Sequence, residues 1–125
     1  MKVATFENTH SLDARNEGDQ YYPSLSQKDI SLTAGKRYKL MYTLSTTNPR
    51  DFQAILQHDG STDKDWTTYY NTDKVSIDDT NEHSYSNTFS VDTDKVVKMQ
   101  FNFGMFDRVV EATELTLKNV ALIEI

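Results

Sequence analysis

The stretch "DKDWTTYY", residues 63 to 70, places the single tryptophan of the chain, Trp66, among charged and hydroxyl side chains, with Tyr69 and Tyr70 close behind. Aromatic rings stack on the C–H faces of pyranose sugars, while an indole N–H or a phenol O–H makes polar contact at the rim. The same tryptophan could instead anchor a core at the start of a strand. In an extended stretch successive side chains point to opposite faces, so at most one of Tyr69 and Tyr70 can share the side of Trp66. Strict alternation assigns Tyr70 to that side and Tyr69 to the core.

A second set of groups is uncharged. In "RDFQAILQHDG" the apolar residues Phe52, Ala54 and Leu56 alternate against Asp51, Gln53, Ile55 and Gln57. In "KVVKMQFNFG" Val97, Met99, Phe101 and Phe103 alternate against Lys98, Gln100 and Asn102. A carboxamide is both donor and acceptor, which makes it the complement of a sugar hydroxyl. If the two stretches lie in one sheet, Gln53, Gln57, Gln100 and Asn102 form a polar, uncharged platform. The alternative is that these are ordinary surface amides with no common role.

Other chemistry is thin. Asp59, Asp63 and Asp65 in "DGSTDKD" are oxygen-rich but miss the spacing of a calcium-binding loop, and an acidic turn is expected there. His10, His58 and His83 have no metal-ligand spacing. No nucleophile elbow or phosphate-cradling glycine loop occurs. Glycoside hydrolysis needs two placed carboxylates, and none of the 19 Asp and Glu residues is singled out. The expectation is a protein that is not an enzyme, with no catalytic residue, no metal and no cofactor.

The elements that would position these groups read as strands. Besides the two stretches above, "KRYKLMYTLSTT" puts Tyr38, Leu40, Tyr42 and Leu44 on one face, and "HSYSNTFSVD" puts Tyr85, Phe89 and Val91 together with Asn87 interrupting. "TELTLKNVALIEI" reads as one or two strands with a kink near Lys118 and Asn119. Weaker strand signals cover Val3 to Phe6, Tyr21 to Gln27 and Ile30 to Leu32, with Pro23 marking an edge or a bulge. Gly35 and the Asp59-Gly60 pair supply turns. About eight short strands without a helical pattern predict an all-β chain, an antiparallel two-sheet β-sandwich of jelly-roll type. With 125 residues and no linker or repeat, one domain over residues 1–125 is expected.

Composition narrows the partners. Thirteen Lys and Arg stand against nineteen Asp and Glu, a net charge of −6. Nucleic-acid binding draws most of its affinity from basic side chains on phosphates, so neither nucleic acid nor a membrane is an expected partner. The chain has no cysteine, which excludes disulfides and thiol chemistry. No apolar run of transmembrane or signal-peptide type is present, so any export signal has been removed or belongs to a larger parent.

These features together resemble the jelly-roll carbohydrate-binding modules of the family 4, 9, 16 and 22 type, which are appended to bacterial glycoside hydrolases. The resemblance runs through "LSQKDISLTAGKRYKLMYTLSTT", "RDFQAILQHDG", "DWTTYY", "YSNTFSVDTDKVVKMQFNFG" and "LTLKNVALIEI", from about residue 19 onward. Its marks are the "L-x-A-G-K-x-Y-x-L" hairpin, the "F-N-x-G" strand end and the closing "N-V-x-L-x-E-I". It implies a noncatalytic, secreted module that holds an internal stretch of a soluble β-glycan chain in a concave cleft. Cello-oligosaccharide or β-glucan is the first choice, and xylan or mannan the next. It also implies a glycoside hydrolase catalytic domain in the parent protein. Carried onto this sequence, the cleft floor is Gln53, Gln57, Gln100 and Asn102 with Arg50 near one end. Trp66 and a neighbouring tyrosine are the stacking residues, and Tyr22 is a further candidate. Members often carry Gln where Ser24 stands, and Asp where Lys118 stands; that Asp helps hold a structural calcium, so no calcium of the usual kind is expected. The competing class is a protein-interaction or adhesin-like sandwich with no sugar ligand, which would expose an apolar patch or a strand edge instead.

Overall fold

The computed structural model describes residues 2–5, 10–14, 24–61, 65–103, 106 and 113–125. Over these the chain forms strands β1 (Lys2–Thr5), β2 (His10–Ala14), β3 (Ser24–Leu32), β4 (Arg37–Thr46) and β5 (Arg50–Gln57). They are followed by β6 (Thr68–Asn71), β7 (Val75–Ile77), β8 (His83–Ser90), β9 (Lys95–Asn102) and β10 (Thr113–Glu124). One sheet runs β1-β10-β4-β8 with β2 also on β10, and the other runs β3-β9-β5-β6 with β7 also on β5. Pairing is antiparallel throughout these ladders. The antiparallel β-sandwich expected from the sequence is therefore the fold.

Alternation decides which faces meet. Tyr38, Leu40, Tyr42 and Leu44 of β4 pack with Phe52, Ala54 and Leu56 of β5, Val97, Met99 and Phe101 of β9, and Leu115, Leu117, Val120 and Leu122 of β10. Removing apolar area from water drives this packing at about 25 cal/mol per Å². Aromatic pairs add geometric preference: Tyr42 stacks on Tyr85 with centroids 5.1 Å apart and meets Phe101 edge-on at 5.0 Å.

Two bulges keep apolar residues inward where strict alternation fails. In β10 the register shifts between Lys118 and Ala121, and Asn119 takes φ 56°, so the inward pair changes from Leu117 to Val120. This is the kink expected near Lys118 and Asn119. In β3 the shift lies between Gln27 and Ile30, with Asp29 at φ 61°. It joins into one strand two runs that read separately in the sequence.

The "L-x-A-G-K-x-Y-x-L" segment is not a hairpin. Its two strands, β3 and β4, belong to different sheets, so the turn crosses the sandwich. Gly35 takes φ 78° and its N–H donates to Val91 O at 3.0 Å, while Ala34 N–H donates to Asp94 Oδ1 at 2.7 Å. The turn residues were legible; the hydrogen-bond partners of the flanking strands were not, because a turn signal does not say which sheet each strand joins. The strands β2 and β7 are five and three residues long, too short for alternation to mark them in the sequence.

Candidate functional site

The outward face of the β3-β9-β5-β6 sheet collects the carboxamides. Register places Gln53 opposite Asn102, Ile55 opposite Gln100 and Gln57 opposite Lys98. On the flanks Ser24 lies opposite Asn102 and Ser26 opposite Gln100, while Asn71 lies opposite Ile55 and Thr68 opposite Gln57. Paired residues in an antiparallel ladder point to the same side, so these side chains share one face. The platform expected from alternation is thus assembled.

Its amides are joined in one direction. Gln100 Nε2 donates to Asn102 Oδ1 at 2.6 Å, Asn102 Nδ2 to Gln53 Oε1 at 2.9 Å, and Gln53 Nε2 to Asn71 Oδ1 at 2.8 Å. Asn71 Oδ1 also accepts from Asp73 N–H at 2.7 Å, which fixes that end of the row to the backbone. Only a group with both donor and acceptor can sit inside such a relay. It explains how Asn102 can be 0% exposed without an orphaned amide. Gln57 makes no side-chain hydrogen bond to a described residue. Gln53, Gln57 and Gln100 keep a slight exposure while Asn102 has none, so the relay holds the surface amides in fixed places from beneath.

Trp66 stands at the Gln57 end and is 53% exposed. It is not a core anchor. Its indole lies against Gly60, where a Cβ would come within 2.4 Å of the ring carbons, and Gly60 has φ 76°. The loop beneath is tied by His58 N–H to Thr67 O at 2.8 Å and by Gly60 N–H to His58 Nδ1 at 3.1 Å. Asp59 Oδ1 accepts from Ser61 N–H, and Asp65 Oδ1 accepts from the N–H and hydroxyl of Thr67. The hydrogen bond with the Ser61 side chain holds Asp59 below the ordinary carboxylate range, and the Thr67 hydroxyl does the same for Asp65. Both acids thus serve the turn, as expected; Asp63 lies outside the described residues.

Between Trp66 and the amide row is a cavity of about 460 Å³ lined by Gln57, Trp66, Thr68, Lys98 and Gln100. Lys98 Nζ lies 4.7 Å from the centroid of the indole. Burial pushes the Lys98 pKa down, the neighbouring Lys28 adds to that, and Asp59 opposes it. Lys98, Thr68, Ile55 and Asn71 were not named as site residues from the sequence. Lys98 had the signal of shared parity with Gln100 and Asn102, whereas Thr68 and Asn71 needed the register of β6.

Two assignments are corrected by geometry. Tyr70 is not on the Trp66 side. A bulge lies where Leu56 pairs Tyr70 and Gln57 pairs Thr68, so the alternation from Trp66 breaks and Tyr70 follows Leu56 toward the interior. There it stacks on Phe89 with centroids 4.9 Å apart, and Asn87 hydrogen-bonds its hydroxyl. Burial raises the Tyr70 pKa, with the Asn87 bond opposing. The polar interruption at Asn87 is therefore an inward residue serving a tyrosine. Tyr69 packs against the core as well, at the sandwich edge, with Lys95 Nζ 4.0 Å above its ring.

Arg50 does not reach the floor. It shares parity with Phe52, is 1% exposed, and its Nε donates to Phe103 O at 3.0 Å, with Nη2 bonding the same carbonyl. Burial lowers its pKa and Asp51 beside it opposes that. Its guanidinium holds the end of β9 in place. Tyr22 lies outside the described residues.

No protein-family model matches the sequence, and no curated protein matches it by sequence. Solved structures match by fold. A CBM4 structure is 19% identical with a TM-score of 0.79, covering 96% of this chain and 73% of its own. The N-terminal cellulose-binding domain of β-1,4-glucanase C from Cellulomonas fimi is 18% identical with a TM-score of 0.70, covering 92% of this chain and 77% of its own. The CBM22-1 xylan-binding domain of Xyn10C from Paenibacillus barcinonensis is 6% identical with a TM-score of 0.57, covering 99% and 97%. The chain has the fold of these carbohydrate-binding modules, as the resemblance in its sequence implied.

Proposed function

We propose that this chain is a noncatalytic carbohydrate-binding module. It holds an internal stretch of a soluble β-glycan along the outward face of the β3-β9-β5-β6 sheet, with β-glucan first and xylan or mannan next. The observation that carries the proposal is the amide relay Gln100–Asn102–Gln53–Asn71 lying in line with an exposed indole. A row of amides without charge suits a chain of hydroxyls. A ring that stands half in water suits the apolar face of a pyranose. The fold shared with cellulose- and xylan-binding modules supports the same reading.

In this reading the residues of the face divide the labour. Trp66 stacks on a sugar ring, Gln57, Gln100 and Gln53 bond hydroxyls along the chain, and the fully buried Asn102 holds Gln100 and Gln53 in place instead of touching the sugar. Each amide–hydroxyl bond replaces one to water and adds about 1 kcal/mol, so affinity is modest and stacking provides much of it. Asp51, the acid on the same row of β5, accepts from Ser76 Oγ at 2.6 Å, which suits a structural role better than a catalytic one. Lys118, where the resembling modules often carry Asp, pairs with Glu82, so the proposal includes no calcium there. In this reading the chain works outside the cell, linked to a catalytic domain that cleaves the glycan.

Affinity electrophoresis in gels containing soluble β-glucan, xylan or mannan tests the proposal. Retardation by at least one polymer is expected. Trp66→Ala should remove it while shifting folding stability by no more than about 0.5 kcal/mol, because the side chain is exposed. Retardation by none of the polymers, or an unchanged Trp66→Ala variant, would overturn it.

A further inference from the structure

Lys98 stands where the amide row meets Trp66, and its setting is unlike that of its neighbours. It is 9% exposed, and no carboxylate of a described residue lies within ion-pair distance of it. Among the described residues the charges acting on it are Lys28, which repels it, and Asp59, which attracts it. Taking an ammonium out of water is unfavourable unless opposite charge or a hydrogen-bond acceptor comes close. The contact with the indole, 4.7 Å from ammonium to centroid, offsets part of that. The same cavity carries the carboxamides of Gln57 and Gln100.

An anion entering this cavity would meet a cation and amide N–H donors at once. A neutral hydroxyl could accept from Lys98 but would bring no charge of opposite sign to it. Hydrogen bonds between ionised partners are roughly twice as strong as neutral ones. A flat carboxylate has two oxygens, one for Lys98 and one for the amide of Gln57, which lies directly across the ladder. The net charge of −6 gives a polyanion no long-range attraction, so recognition would be local and confined to this end of the face.

We infer that the Trp66 end of this face takes a sugar bearing a carboxylate, a uronic acid carried on a β-glycan, with Lys98 pairing the carboxylate while the sugar ring stacks on Trp66. The inference rests on the reading of this face as a glycan site. It moves the preference within β-glycans from neutral β-glucan toward acid-substituted chains such as a glucuronate-bearing xylan.

Calorimetric titration of the full chain with glucuronoxylan, and with the same polymer after reduction of its carboxyl groups, tests it. The acid polymer should bind about tenfold more tightly, and the gap should narrow as salt rises. Lys98→Met should bring the two affinities together by weakening the acid polymer about tenfold, while Lys98→Arg keeps the preference and serves as the folding control. Equal affinity for the two polymers, a Lys98→Met variant that keeps the preference, or dextran sulfate bound as tightly as glucuronoxylan would each overturn the inference. Binding of neutral polymers without an acid preference overturns this inference alone. Binding of no polymer overturns the glycan reading with it.

Discussion

Asn102 is the residue on which the floor depends, because it both accepts from Gln100 and donates to Gln53 at a point with no exposure. Asn102→Leu keeps much of the volume but strands a donor on one side and an acceptor on the other. The expected loss is about 2 kcal/mol of unfolding free energy, read from the midpoint and slope of urea denaturation. An unchanged midpoint would mean the relay is not a stabilising unit. The four floor amides were legible in the sequence because alternation in β5 and β9 is unbroken from Phe52 to Gln57 and from Val97 to Asn102. Tyr70 was not, because one bulged residue in β6 exchanges the faces of everything beyond it. Arg50 was misplaced for a different reason. A guanidinium is expected near water, yet the carbonyl of Phe103 allows it to follow its parity inward.

At the scale of elements, the loop between β5 and β6 presents Trp66, and Gly60 sets the height at which the indole rests. Gly60→Ala combines a strained φ of 76° with a Cβ that would meet the ring at 2.4 Å. Alanine at positive φ costs about 1 kcal/mol, and the indole must leave its place against Gly60. Thermal unfolding should fall by a few degrees, the fluorescence of the single tryptophan should shift, and retardation by β-glycan should weaken. A variant that binds normally would show that the seat of Trp66 on Gly60 is not what aims it. The sequence announced the turn through Asp59-Gly60, but not the contact across it, since Trp66 and Gly60 are joined by folding of the loop.

For the whole molecule, two sheets share the work unequally. The β1-β10-β4-β8 sheet supplies half of the core. Its outer face around Met41, Thr43, Ser84 and Ser86 includes a pair of hydroxyls, with Thr43 Oγ1 and Ser84 Oγ 3.0 Å apart. The β3-β9-β5-β6 sheet carries the relay, the lysine and the indole on one face. Sheet membership is what alternation cannot give, because it ranks the two faces of a strand without naming its neighbours; the cross-sheet turn at Gly35 shows this as well. The central claim is that glycan lies on the relay face. Titrating the ¹⁵N-labelled chain with a cello- or xylo-oligosaccharide and following side-chain amide and indole N–H resonances tests that claim most directly. Glycan on this face should give progressive shifts at Trp66, Gln57, Gln100 and Gln53, with little change at Ser84 and Ser86. Shifts confined to the opposite sheet, or none at Trp66 and these three amides at saturating sugar, would overturn that placement.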